Sequence, residues 1–126
     1  MTLDRITIVL PWPSPSLMPN RKNGRHWGAT HSPKIKARTD GENAARHALG
    51  RNTLAAADRM RCRVTFFAPD RRRRDLDNLL ASMKPYLDGI AKALGADDSI
   101  FRPVVLDDCL DKQKKGFVLV EIGGEQ

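Results

Sequence analysis

Between residues 60 and 94 the hydrophobic period switches from that of a strand to that of a helix across one short polar run, which leaves few folds open. In Met60 to Ala68 (MRCRVTFFA), Cys62, Val64 and Phe66 alternate with Arg61, Arg63 and Thr65, and Pro69 ends the strand. Leu79, Met83, Leu87, Ile90 and Leu94 then recur at helical spacing, closed by Gly95 as the C′ residue. Pro85 lies inside that pattern and cannot donate to the carbonyl four residues earlier. A kink or two consecutive helices is therefore expected in place of one straight rod.

The flanking segments extend the alternation. Thr2 to Leu10 (TLDRITIVL) reads as a strand that runs into the proline-rich Pro11-Trp12-Pro13-Ser14-Pro15-Ser16, where backbone donors are missing. A loop continues to about residue 31 and carries Arg21, Lys22, Arg25, His26 and Trp27; loops of that length are functional or disordered. Ser32 can cap a helix with Pro33 at its first position, running to about Leu49 before Gly50, although Gly41 weakens it. Ile100 to about Leu106 and Gly116 to Ile122 read as two final strands separated by the polar segment Asp107 to Lys115. The order β-α-β-α-β-β predicts one α/β domain over residues 1–126, a mixed sheet with helices packed against it.

At 126 residues the chain buries roughly two-thirds of its unfolded surface on folding, so it needs no staples. Its apolar runs are far below a membrane span of about 20 residues. Met1 to Leu10 lacks the pattern of a signal peptide, so a cytoplasmic protein with no membrane partner is expected. Cys62 and Cys109 are too few and too far apart for a zinc knuckle or redox pair and are read as buried thiols. His26, His31 and His47 lack zinc spacing.

Charge is distributed unevenly. The net charge is +7, but residues 1–74 carry +11 and residues 75–126 carry −4, with the sign changing at Arg74/Asp75. A basic body suits a polyanion such as nucleic acid, and a compact acidic cluster within it suits a divalent cation. The junction is Pro69-Asp70-Arg71-Arg72-Arg73-Arg74-Asp75-Leu76-Asp77-Asn78. Four consecutive arginines repel one another and are relieved either by neighbouring acids or by phosphate. Asp75 and Asp77 share a face only on extended chain ahead of the helix, and the same residues could instead cap it. Asp97-Asp98 lie beyond Gly95 at the far end of the helical segment. They meet the first pair only if the helix breaks at Pro85 or if a second copy supplies them. Three converging carboxylates would form a hard-oxygen site for Mg²⁺ or Mn²⁺, able to activate water against a phosphodiester. Trp12 and Trp27 are either loop anchors or planes for stacking unpaired bases. Pro69-Asp70 begins like a PD-(D/E)xK nuclease, but no Asp-x-Lys or Glu-x-Lys follows.

The run RRRRDLDNLL, followed by KPYLDGIAKALGADDSIF and preceded by ITIVLPWPSPS, resembles the RusA family of Holliday junction resolvases, the crossover junction endodeoxyribonucleases. The resemblance covers most of the chain. It implies a small α/β homodimer that nicks four-way DNA junctions symmetrically with Mg²⁺ or Mn²⁺. Essential acids would be Asp75, Asp77 and Asp98, with Asp97 as an accessory metal ligand. A family lysine commonly lies four residues past the second Asp, where this chain has Ala81; Lys84 is the nearest candidate if Ala81-Ser82-Met83 is an insertion. DNA contacts are expected from Arg71, Arg72, Arg73, Arg74, Arg21, Lys22 and Arg25. Two-fold symmetry of a junction matches a homodimer carrying one acidic cluster for each of two strands. The competing expectations are a non-catalytic basic DNA-binding protein and a nuclease for a flap or fork.

Overall fold

Alternation produces the sheet. The structure, a computed structural model, describes residues 1–18, 28–55 and 57–123, and of residues 28–31 the backbone alone. The strands and helices in chain order are β1 (Thr2–Leu3), β2 (Arg5–Pro11), α1 (Gly28–Leu49), β3 (Thr53–Leu54), β4 (Met60–Ala68), α2 (Leu76–Ala93), β5 (Phe101–Leu110) and β6 (Phe117–Gly123). Four strands form a mixed sheet in the order β2-β6-β4-β5, and β1 and β3 make a separate two-residue parallel bridge. β6 runs antiparallel to both β2 and β4, whereas β5 runs parallel to β4 and is reached from it through α2. The expected α/β architecture, a mixed sheet with helices packed against it, is thus what the chain adopts.

In β2, β4 and β6 every second residue is buried against the helices. Ile6, Ile8 and Leu10 of β2, Cys62, Val64 and Phe66 of β4, and Val118, Val120 and Ile122 of β6 are buried together with Leu79, Met83, Tyr86, Leu87 and Ile90 of α2. Cys62 is a buried thiol, pushed up to about 12 by that burial, but Cys109 is exposed, contrary to expectation. Cys109 belongs to the edge strand β5, whose residues 107–109 face solvent.

Three element boundaries differ from the sequence reading. α1 begins at Gly28, so the expected loop to residue 31 is shorter and Pro33 is an interior helical residue and does not open the helix after a Ser32 cap. β5 continues to Leu110 because its parallel ladder with β4 runs from Phe101 to Leu110, which takes Asp107 and Asp108 out of the expected polar connection and into the strand. The third difference matters most: α2 is one α-helix from Leu76 to Ala93 with Pro85 inside it, so the alternative of two consecutive helices is not what forms. A proline in a helix interior costs about 3 kcal/mol. Full burial of each large apolar side chain contributes about 1.5–3 kcal/mol, and Met83, Tyr86, Leu87 and Ile90 flank Pro85 on one buried face. Keeping that stripe continuous outweighs the lost hydrogen bond.

The two helices approach backbone to backbone. A Cβ on Gly41 of α1 would overlap the carbonyl of Tyr86, and one on Gly89 of α2 would overlap the carbonyl of Arg38 and the amide of Glu42. Gly41, unfavourable for an isolated helix, is therefore the point where α1 accepts α2.

The connection from β5 to β6 also does unusual work. These strands lie on opposite sides of β4, so residues 111–116 must cross the end of β4. Asp111 fastens the crossing: its N–H donates to the Ala68 carbonyl (2.7 Å), and its carboxylate accepts from the amides of Gln113 (3.0 Å), Lys115 (3.1 Å) and Gly116 (2.9 Å). Gly116 (φ 82°) passes so close that a Cβ would press on Pro69 and Trp12. No helix among the described residues is long and apolar enough to cross a membrane.

Two consequences are testable. Gly89→Ala should destabilise the fold by about 1–3 kcal/mol through forced separation of the helices, read as a lower urea midpoint at unchanged slope. The amide of Gly116, followed by that of Gln113, holds the Asp111 carboxyl below its ordinary 3.8. A lowered folded pKa means that this stabilisation is complete above pH 3.8 and is lost as pH falls through the depressed value. Asp111→Asn should accordingly melt earlier than wild type at neutral pH, with the gap narrowing in acid.

Candidate functional site

The polar run between β4 and α2 is shaped by Asp70. Its Oδ1 accepts from the Arg72 amide (2.9 Å) and from an Arg74 guanidinium nitrogen (2.8 Å), while Arg74 also donates to the carbonyls of Asp70 (3.3 Å) and Arg72 (3.0 Å). The Arg72 amide, and then the Arg74 side chain, hold the Asp70 carboxyl below its usual range. Arg74 in turn lies over the Trp12 ring at 5.1 Å, and Trp12 meets Phe66 edge-on at 6.2 Å. With only 17% of its side chain exposed, Arg74 is a bracket between the turn and the β2 end. Arg71, Arg72 and Arg73 are exposed and present their charge to solvent. The four arginines expected to contact DNA thus divide into three on the surface and one held internally.

Asp75 and Asp77 follow at the start of α2. Asp75 occupies the N-cap position with extended backbone (φ −91°, ψ 132°), and its carbonyl accepts the Leu79 amide at 3.1 Å. Its carboxylate makes no capping bond, so the capping role weighed from sequence is not the one it takes. Asp77 lies one step inside the helix, exposed, with Oδ1 accepting the Asn78 amide at 3.0 Å. A helix N-terminus favours such negative charge. Asp75, but not Asp77, lines a cleft of about 670 Å³, whose walls also include Trp12, Pro13, Met18, Arg72, Arg73 and Asn78.

Asp98 is elsewhere. It opens a short 3₁₀ turn (Asp98–Ile100) after α2, with Asp97 exposed at the cap position of that turn. Asp98 faces Asp88 near the far end of α2. Burial raises the Asp88 carboxyl above its usual range, and Asp98 adds to this by hydrogen-bonding its protonated form and by charge repulsion; Arg38 and Lys84 act in the opposite direction. Arg38 reaches Asp88 at 3.8 Å, and Lys84 is exposed one turn before it. Asp77 and Asp88 are eleven residues apart on one helix. At 1.5 Å per residue this is about 16 Å along the axis, far beyond the reach of two carboxylates on one ion. Lys84 groups with Asp88 and Asp98, not with Asp75 and Asp77.

Among the described residues no three His, Cys, Asp or Glu side chains gather into a metal-holding group. Asp75 and Asp77 thus stand at the start of α2, and Asp98 belongs to a second cluster with Asp88. Arg21, Lys22, Arg25, His26 and Trp27 lie outside the described residues, as does the side chain of His31. Sequence reasoning missed Asp70 as the organiser of the turn, Trp12 as the seat of Arg74, and Asp88 as the partner of Asp98. The signal for the first was the opposite charge of Asp70 in the arginine run; nothing local in the sequence pairs Asp88 with Asp98.

No family model matches this chain. An uncharacterized protein of Xylella fastidiosa (strain Temecula1 / ATCC 700964) is 37% identical over 121 residues, which make up 94% of this chain and 76% of that protein. With identity at that level across nearly its whole length, the chain belongs to the same family as the Xylella fastidiosa protein.

Proposed function

We propose that this chain is a metal-dependent, structure-selective DNA endonuclease of the RusA type that resolves four-way junctions as a cytoplasmic homodimer. One observation carries the reading. Asp75, at the helix N-cap, leaves its carboxylate unused for capping, beside Asp77 and at the rim of a cleft edged by exposed arginines. A structural cap would have spent that side chain on a backbone amide. Oxygen donors set beside cationic phosphate-binding groups suit phosphodiester hydrolysis.

The residues fit Mg²⁺ or Mn²⁺ only in part within one chain. Asp75 and Asp77 would hold the ion from one side, and the third acid, Asp98 with Asp97 near it, would come from a second copy. Bound there, the ion would supply a polarised water and charge neutralisation at the phosphate. The chain's own groups bind and orient: Arg71, Arg72 and Arg73 take phosphate oxygens, and Asp70 and Arg74 fix the turn that presents them. Lys84, beside Asp88, would steady a phosphate reaching the Asp98 cluster.

Asp75→Asn should lose cleavage of a labelled four-way junction by at least about a hundredfold in Mg²⁺ or Mn²⁺ while retaining junction binding in EDTA. Binding without cleavage by wild type under any metal would make the chain a non-catalytic DNA-binding protein, and cleavage of flaps or forks in preference to junctions would reassign its substrate. Mixing inactive Asp75→Asn and Asp98→Asn proteins tests the shared site. Random dimers should recover about a quarter of the wild-type sites, all in heterodimers with one intact site, giving single nicks without paired resolution. If each site is built within one chain, the mixture stays inactive.

A further inference from the structure

The cleft beside Asp75 has a chemistry of its own, distinct from that of the acids. Its volume of about 670 Å³ lies within the range of sites that hold compact organic ligands. Trp12, Pro13, Pro15 and Met18 supply an apolar wall, and Arg72 and Asn78 face it with a cation and an amide. Trp12 is half-buried and lines the cleft. Its ring lies beneath Arg74 and makes an edge-to-face contact with Phe66, and Arg74 is itself tied to Asp70. The prolines on either side of Trp12 restrict the backbone that carries it. An aromatic ring backed by a fixed guanidinium is a preorganised platform for a planar ligand. The Asn78 amide offers one donor and one acceptor group, the pair that reads a base edge. Exposed Arg72 and Arg73 at the cleft suit a phosphate attached to that planar group.

We infer that this cleft takes one unstacked nucleotide of the DNA substrate, with the base against the wall of Trp12 and Arg74 and the phosphate toward Arg72 and Arg73. The occupant sets the base preference beside Asp75. Bases within a duplex are already stacked and cannot enter, whereas a branch point offers bases that can. The inference rests on the nuclease reading for its biological meaning, but nucleotide binding is measurable without cleavage.

The Trp27→Phe protein, in which Trp12 is the sole tryptophan, would be titrated in EDTA with a DNA tetranucleotide, the same strand bearing abasic sites, and a free nucleoside monophosphate. Saturable quenching by the tetranucleotide, with binding at least about tenfold weaker for the abasic strand, is the expected result. Asn78→Ala should change the ranking among tetranucleotides of different base, and Trp12→Phe should retain binding that Trp12→Leu loses. Equal affinity for base-bearing and abasic strands overturns the inference. A free monophosphate binding as tightly as the strand also overturns it and assigns the cleft to a free nucleotide. Base-dependent binding by a protein that cleaves no junction in Mg²⁺ would sink the nuclease reading and leave the cleft standing. Junction cleavage without base-dependent binding would do the reverse.

Discussion

The crossing of residues 111–116 over the end of β4 is the constraint on which the rest of the site depends. Since β5 and β6 flank β4, the chain must pass the point where β4 hands over to the arginine turn. Asp111 makes that passage possible by satisfying three loop amides with one carboxylate while its own amide closes on Ala68. Such a loop would otherwise leave polar backbone groups unpaired where it presses on the sheet end. Gly116 then abuts Pro69 and Trp12, so the end of β2, the start of the arginine turn and the crossing loop settle together.

From that end of the sheet the electrostatics become ordered. A free run of four arginines would be a mobile cationic patch. Here Asp70 and Trp12 remove Arg74 from the patch and use it as a strut, which leaves three arginines at the surface in a turn of defined shape. The same strut orients the indole. One ion pair and one cation–π contact thus link the basic surface to the apolar wall of the neighbouring cleft.

Helix α2 acts as a spacer. The apolar stripe that keeps it continuous through Pro85 also holds Asp75 and Asp77 at one end and Asp88 and Asp98 toward the other. Packing energy in the core therefore decides the geometry of the acids, and the close contact at Gly41 and Gly89 fixes α1 against this spacer. An arrangement that brings all three acids to one phosphate needs a second chain, which is why the proposed function is dimeric.

Much of this was legible from residues alone. Alternation at Met60–Ala68 and helical spacing from Leu79 to Ile90 determined the strand and the helix, because each period matches only one way of hiding apolar side chains from water. The charge reversal at Arg74/Asp75 marked where polar chemistry would concentrate. Local rules failed where distant contacts outweighed them: Pro85 reads as a break until the buried face on either side of it is seen, and Gly41 reads as a weak point until α2 rests on it. Asp107 and Asp108 read as a polar connection because their strand lies at a sheet edge, where solvent hides the alternation. The sequence by itself determined which residues could carry charge, pack or cap. Only the tertiary structure decided that Arg74 turns inward, that Asp75 leaves its cap unmade and that Asp98 meets Asp88, because each depends on a partner brought near by folding rather than by position in the chain.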